Sequence, residues 1–133
     1  MALREIQKKA GVFEASNDAL CFGLSFSELN YLSVIKVEAV VMEGLKDASM
    51  LKTKFNVMVL ALDLSIFRVF GIIERYIDTL LTHAKVIVKL KVETDLDGAK
   101  NVVAQLARPL NLQPEQYVEA EDGVWLILTR ICL

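Results

Sequence analysis

The sequence predicts a single α+β domain, residues 1–133, in which two helices pack on one face of a mixed sheet. A β-α-β-α-β-β core over 52–133 follows an N-terminal helix, hairpin and strand extension over 1–51. Three observations carry this. Apolar period switches from two to about 3.6 and back to two between Phe55 and Val92. A second helical stripe begins behind the cap-like Thr94-Asp95-Leu96-Asp97. Asp122-Gly123 then separates two strand-like runs, as a tight hairpin turn requires.

From the start, Leu3, Ile6 and Ala10 fall at helical spacing and Gly11 suits the residue just past a helix end. Val12 to Ala15 and Ala19 to Phe26 are apolar and flank Ser16-Asn17-Asp18, which reads as a hairpin. Ser25-x-x-Glu28 has capping-box spacing, enough for one helical turn near Leu29. Ile35, Val37, Ala39 and Val41 alternate with Lys36 and Glu38, the period of a half-buried strand, and Phe55, Val57, Val59 and Ala61 repeat the pattern. These two strands are expected to be sheet neighbours.

Ile66, Val69, Phe70, Ile73, Ile77 and Leu80 recur at three and four residues, predicting a helix over 66–81. Gly71 inside it is expected to press against the sheet, and His83 to sit at its C-terminal end. Val86, Val88, Leu90 and Val92 form one face of the next strand, with Lys85, Lys89, Lys91 and Glu93 on the other. A helix joining two such strands makes a parallel crossover unit. Leu96, Ala99, Val103, Leu106 and Leu110 stripe the second helix, which Pro109 stops. Val124 to Leu128 is apolar on both faces and so belongs inside the sheet.

Composition narrows the function classes. A chain of 133 residues with 54% apolar side chains buries about 70% of the surface its unfolded form exposes and needs no staples. Its longest uncharged runs are far shorter than the ~18 residues of a membrane span, so the chain is expected to be cytoplasmic. Residues 11–51 hold six acids against two bases, while 52–133 balance ten against ten, which argues against a dedicated polyanion binder. Cys21 and Cys132 sit in apolar runs without metal-type spacing. No glycine-rich phosphate loop, dinucleotide fingerprint, nucleophile elbow or zinc-protease motif is present.

Phe55-Asn56-Val57-Met58-Val59-Leu60-Ala61 and Ala84-Lys85-Val86-Ile87-Val88-Lys89-Leu90, in this element order, resemble the first two strands of the Alba superfamily of chromatin and RNA-binding proteins. The resemblance covers about 52–133 and implies that fold and a tendency to dimerise. Where that family carries basic residues after both strands, this chain has Leu62-Asp63-Leu64-Ser65 and Glu93-Thr94-Asp95-Leu96-Asp97. No nucleic-acid-binding residue is therefore carried over from it.

Two side-chain groups stand out. A parallel crossover would bring Asp63, Glu93, Asp95 and Asp97 to the carboxyl edge of the sheet, where α/β proteins form ligand crevices. Two readings stand: a magnesium or manganese site acting on phosphate compounds, or helix caps at Asp63, Thr94 and Asp97. Lys85, Lys89 and Lys91 share one strand face, which reads either as a platform for RNA or DNA or as a solvated face with cross-strand ion pairs. Ile87, Met58, Leu60 and Leu62 are expected to leave an apolar second sheet face, covered by the N-terminal strands or by a second copy of the chain. No catalytic residue is identified. The sequence thus reads as a non-enzymatic, homodimeric binding module with no cofactor and an unspecified ligand. The alternatives are an Alba-like nucleic-acid binder and a divalent-metal phosphate enzyme.

Overall fold

The computed structural model describes residues 1–44, 51, 54–91 and 95–131. Among these lie four α-helices and six strands: α1 (Ala2–Ala10), β1 (Asp18–Phe22), α2 (Phe26–Val34), β2 (Glu38–Met42), β3 (Phe55–Leu60), α3 (Ile66–Tyr76), β4 (Leu80–Leu90), α4 (Leu96–Ala107), β5 (Leu112–Ala120) and β6 (Gly123–Arg130). The strands form one sheet in the order β2-β1-β3-β4-β6-β5. The four strands β1 to β4 run parallel, and the β5–β6 hairpin joins β4 antiparallel through β6.

Helices cover both faces, so the molecule has three layers rather than two. On one side α3 and α4 pack on Leu20, Phe22, Met58, Leu60, Val86, Val88, Leu126 and Leu128. On the other, α1 and α2 pack on Ala19, Cys21, Val57, Val59, Ile87, Trp125 and Ile127. Successive strand residues alternate between these two cores, so the central strands read as continuous apolar runs. Met58 pairs with Val86 and Val59 with Ile87, which places Met58 and Leu60 under α3 and α4 and Ile87 on the opposite face. The face expected to need a second copy is covered by α1 and α2 of the same chain. The inference to a homodimer therefore loses its support.

The β3-α3-β4 crossover is parallel as expected, β6 is interior, and the hairpin turns at Glu121-Asp122. The N-terminal hairpin is replaced by a second crossover, β1-α2-β2. Val12 and Phe13 are buried but stay out of the sheet, because the Gln7 amide satisfies the Phe13 backbone in both directions, at 2.8 and 2.9 Å. Ser16, at φ 71°, turns its N–H onto the Lys36 carbonyl at 2.7 Å, and Glu38 donates to the Asn17 carbonyl at 2.8 Å. Those bonds bring β1 and β2 in side by side at their amino ends. As a result β1, expected as half of a hairpin, lies between β2 and β3 and separates the two strands expected to be neighbours.

Helix α3 is shorter than its stripe suggested: a single 3₁₀ turn, Ile77–Thr79, ends it, and β4 begins at Leu80. His83 consequently lies in β4, exposed and at φ 67°, within an irregular stretch between the pairs Phe55/Leu80 and Val57/Lys85. Gly71 faces outward, with no atom within 4 Å of where its side chain would project, rather than touching the sheet.

Candidate functional site

Because β1 to β4 are parallel, their carboxyl ends share one edge, formed in sheet order by Glu43, Gly23, Ala61 to Asp63, and Lys91. The chain leaves β1 to one side for β2 and returns on the other for β3. The gap between β1 and β3 is thus the switch point at which α/β sheets open a crevice.

Gly23 sits at that gap with φ 74°, a conformation only glycine adopts without strain. A Cβ added there would lie 2.5 Å from the Ala61 carbonyl oxygen and 2.8 Å from Leu62 Cδ2. The Ala61 N–H donates to the Phe22 carbonyl at 2.9 Å, tying the two strand exits together. Three residues, Gly23 to Ser25, then lead into α2. Ser25 Oγ accepts from the Glu28 N–H at 3.3 Å, and the Ser25 N–H donates to Glu28 Oε1 at 3.0 Å, completing the capping box. The spacing that promised a single turn caps a nine-residue helix. Glu43 follows β2, exposed, about twenty residues after Gly23.

Beside the start of α2 a cavity of about 200 Å³ is lined by Met1, Ala2, Ser25, Ser27, Glu28, Glu121 and Asp122. Three of those side chains are carboxylates. The Trp125 indole N–H donates to Asp122 Oδ1 at 2.8 Å, which fixes the β5–β6 turn on this edge. Carboxylates outnumber cations here: the Met1 ammonium lies 3.0 Å from Glu121 Oε1, while Lys89 approaches Asp122 at 3.6 Å and Lys91 approaches Asp63 at 3.9 Å.

The residues singled out from sequence are distributed as follows. Asp63 is exposed, with Lys91 Nζ 3.9 Å from its Oδ1. It does not cap α3, which Ser65 does by accepting from the Arg68 N–H. Asp95, rather than Thr94, caps α4, its Oδ1 accepting from the Gly98 N–H at 2.6 Å. Asp97 is exposed in the first turn of that helix, and Glu93 and Thr94 lie outside the described residues. Among the described residues no group of three His, Cys, Asp or Glu side chains stands together as metal ligands.

The lysines are held by carboxylates. Lys85 Nζ lies 2.8 Å from both Glu115 Oε2 and Thr129 Oγ1, and Lys89 is 3.6 Å from Asp122. Burial pushes the Glu115 carboxyl up, but the hydrogen bonds and charge from Lys85, with the Thr129 hydroxyl, outweigh it and hold the group below the usual carboxylate range. Cys21 is buried in β1, and that burial pushes its thiol up to about 12, the opposite of an activated nucleophile. Cys132 lies outside the described residues.

Gly23 and Glu43 are the edge residues that sequence reasoning missed. Their signal was an apolar run ending in glycine, a capping box directly behind it, and an acid about twenty residues on. Only one glycine of the usual loop is present, so the pattern fell below recognition.

No protein-family model and no curated protein matches the chain. Solved structures do. A methyltransferase from Pyrococcus furiosus is similar with a TM-score of 0.62 and 15% identity, covering 98% of this chain and 82% of the other. The N-methyltransferase NodS from Bradyrhizobium japonicum WM9 gives 0.61 and 11%, covering 98% and 92%. An rRNA methylase from Streptococcus thermophilus gives 0.53 and 12%, covering 92% of each. The fold is thus the Rossmann-like one of these methyltransferases. That finding overturns the Alba resemblance, which has no place for the β1-α2-β2 unit or for helices on both faces. It also displaces the reading as a non-enzymatic module, the Alba-like nucleic-acid binder and the metal-dependent phosphate enzyme. The expectation of no cofactor, or of magnesium or manganese alone, gives way with them, because the neighbours are enzymes of group transfer. Among the described residues no helix is long and apolar enough to cross a membrane.

Proposed function

We propose that this chain is a methyltransferase that takes S-adenosylmethionine at the carboxyl edge of β1 to β3. The observation that carries the reading is the pairing of Gly23, turned tightly at the switch point, with Glu43 at the exit of β2. In nucleotide-binding α/β folds an acid at that separation accepts from ribose hydroxyls. Glu43 is the residue to hold the ribose, and the Gly23–Ser25 backbone the one to bound the ligand below.

The charge of the edge favours this cofactor over a dinucleotide of similar shape. A diphosphate docks on the N-terminus of the first crossover helix. Here that end carries the Glu28 carboxylate bonded to the Ser25 N–H, and the cavity beside it also holds Glu121, paired with the Met1 ammonium at 3.0 Å, and Asp122, 3.6 Å from Lys89. The Glu28 carboxylate at the helix end repels phosphate, and the excess of carboxylates over the one ammonium in the cavity lining suits a cationic sulfonium. When bound, the cofactor supplies an electrophilic methyl group on sulfur. The chain's contribution is to hold the ribose, to surround the positive charge with carboxylates, and to align the acceptor, an effect that needs no strong base.

Isothermal titration calorimetry tests this with S-adenosylmethionine, NAD and ATP. S-adenosylmethionine is expected to bind, and NAD and ATP are not. Glu43→Ala should weaken the complex about 10- to 100-fold, the worth of hydrogen bonds to a charged group. Absence of S-adenosylmethionine binding, or unchanged affinity in Glu43→Ala, overturns the assignment.

A further inference from the structure

We propose that the outward face of α3 is a docking surface for a polypeptide segment that presents apolar side chains flanked by carboxylates, and this does not depend on the cofactor reading. Helix α3 buries Val69, Phe70, Ile72, Ile73 and Tyr76 in the core, Ile72 at its margin. Its exposed side carries Phe67, Arg68, Gly71, Glu74 and Arg75, so a large apolar ring and a glycine stand among the charges such a helix ordinarily shows to water. Phe67 is 66% exposed there, and Leu64, Arg68, Gly71, Ile72 and Arg75 line a shallow apolar groove of about 360 Å³.

Gly71 forms the low point of this groove. Its backbone is helical and a Cβ would meet nothing within 4 Å, so neither conformation nor internal packing requires a glycine. Glycine costs helix stability relative to alanine. What the missing side chain provides is room at the surface for an incoming one.

Charge identifies the occupant. Arg68 and Arg75 stand about two helical turns apart on either side of Gly71. Neither has an ion-pair partner among the described residues, whereas Lys85, Lys89 and Lys91 each have one. Two unpaired guanidiniums around an apolar dip match a segment with an apolar residue seated over Gly71 and acids about two turns apart. Apart from these two groups the lining is apolar, and the adjoining carboxyl edge is acidic, which disfavours a phosphate backbone.

The test is an anisotropy titration of the full chain with a labelled amphipathic helix whose leucine stripe is flanked by glutamates. The same helix with lysines and a short oligouridine serve as comparisons. The glutamate helix should bind, and bind at least tenfold more weakly to Arg68→Glu/Arg75→Glu and to Gly71→Leu, with circular dichroism confirming that both variants fold. The lysine helix should prefer the charge-reversed variant. Equal binding of the two helices to the unmodified chain, or binding of neither, overturns the proposal. Oligouridine binding lost in Arg68→Glu/Arg75→Glu without helix binding assigns the face to nucleic acid instead. A doubling of mass in light scattering that Gly71→Leu abolishes assigns it to a second copy, and both results overturn the proposal.

Discussion

Replacing Gly23 by alanine probes the switch point directly. Two costs combine. A non-glycine residue in the left-handed region is disfavoured by roughly 1–2 kcal/mol, and Gly23 lies there at φ 74°. The new methyl would also stand 2.5 Å from a backbone oxygen, Ala61 O, which moves only if β3 moves with it. Forcing such an atom into a packed site costs roughly 1–3 kcal/mol. Together the loss is about 2–5 kcal/mol from a total of roughly 5–15 kcal/mol for a domain of this kind. Gly11→Ala is the internal control: Gly11 has a similar φ of 57° but nothing within 4 Å of its Cβ position. It should show only the conformational cost of about 1–2 kcal/mol. In urea unfolding followed by far-UV circular dichroism, with m of about 1–3 kcal/mol/M, the two variants should differ in midpoint by on the order of 1 M. Coincident midpoints would mean that β1 does not leave against Ala61, and the proposed floor of the ligand site would go with that contact.

Two further outcomes concern titration. With Cys132 replaced by alanine, the folded chain should leave Cys21 unreactive toward an aromatic disulfide until it is unfolded. Its thiol is pushed up to about 12 by burial while an unfolded thiol ionises near ~8.5. A folded value above the unfolded one stabilises the fold fully below the lower value, and that contribution drains away as pH rises between the two. The alkaline loss of stability should therefore be shallower in Cys21→Ala, and parallel pH profiles would refute the assignment. For Glu115 the direction is reversed. Its lowered folded value gives stability that is present above the unfolded value and lost as pH falls through the folded one. The pair is half-exposed, so the effect on stability should be only some tenths of a kcal/mol. The sharper readout is the carboxyl carbon-13 titration of Glu115, which should move upward in Lys85→Met, and no movement would deny the contact.

The elements most legible in the sequence were those with a surface. Helix α3, the β3-α3-β4 crossover and the Asp122-Gly123 turn each showed a period or a turn dipeptide, and each is present. Strand β1 was misread because Ala19, Leu20, Cys21 and Phe22 are buried on both faces, which erases the alternation that distinguishes a hairpin arm from an interior parallel strand. Its partners are chosen by side-chain and backbone bonds across distance, such as Asn56 Oδ1 accepting the Asp18 N–H, that no local pattern encodes. The carboxyl edge and Asp63 on it were legible from the crossover, but Gly23 and Glu43 were not. The Asp95 carboxylate is engaged as the cap of α4, while Gly23 and Glu43 are brought to that edge only once β1 is placed between β2 and β3.

The position of Trp125 gives this molecule a natural reporter. It is the sole tryptophan, wholly buried in β6, with its indole tethered to the turn that borders the acidic cavity. Its emission will be blue-shifted in the folded chain and will follow loss of the core and release of the Asp122 tether. A ligand that settles among Glu28, Glu121 and Asp122 is thus observable by intrinsic luminescence, without a label and without turnover.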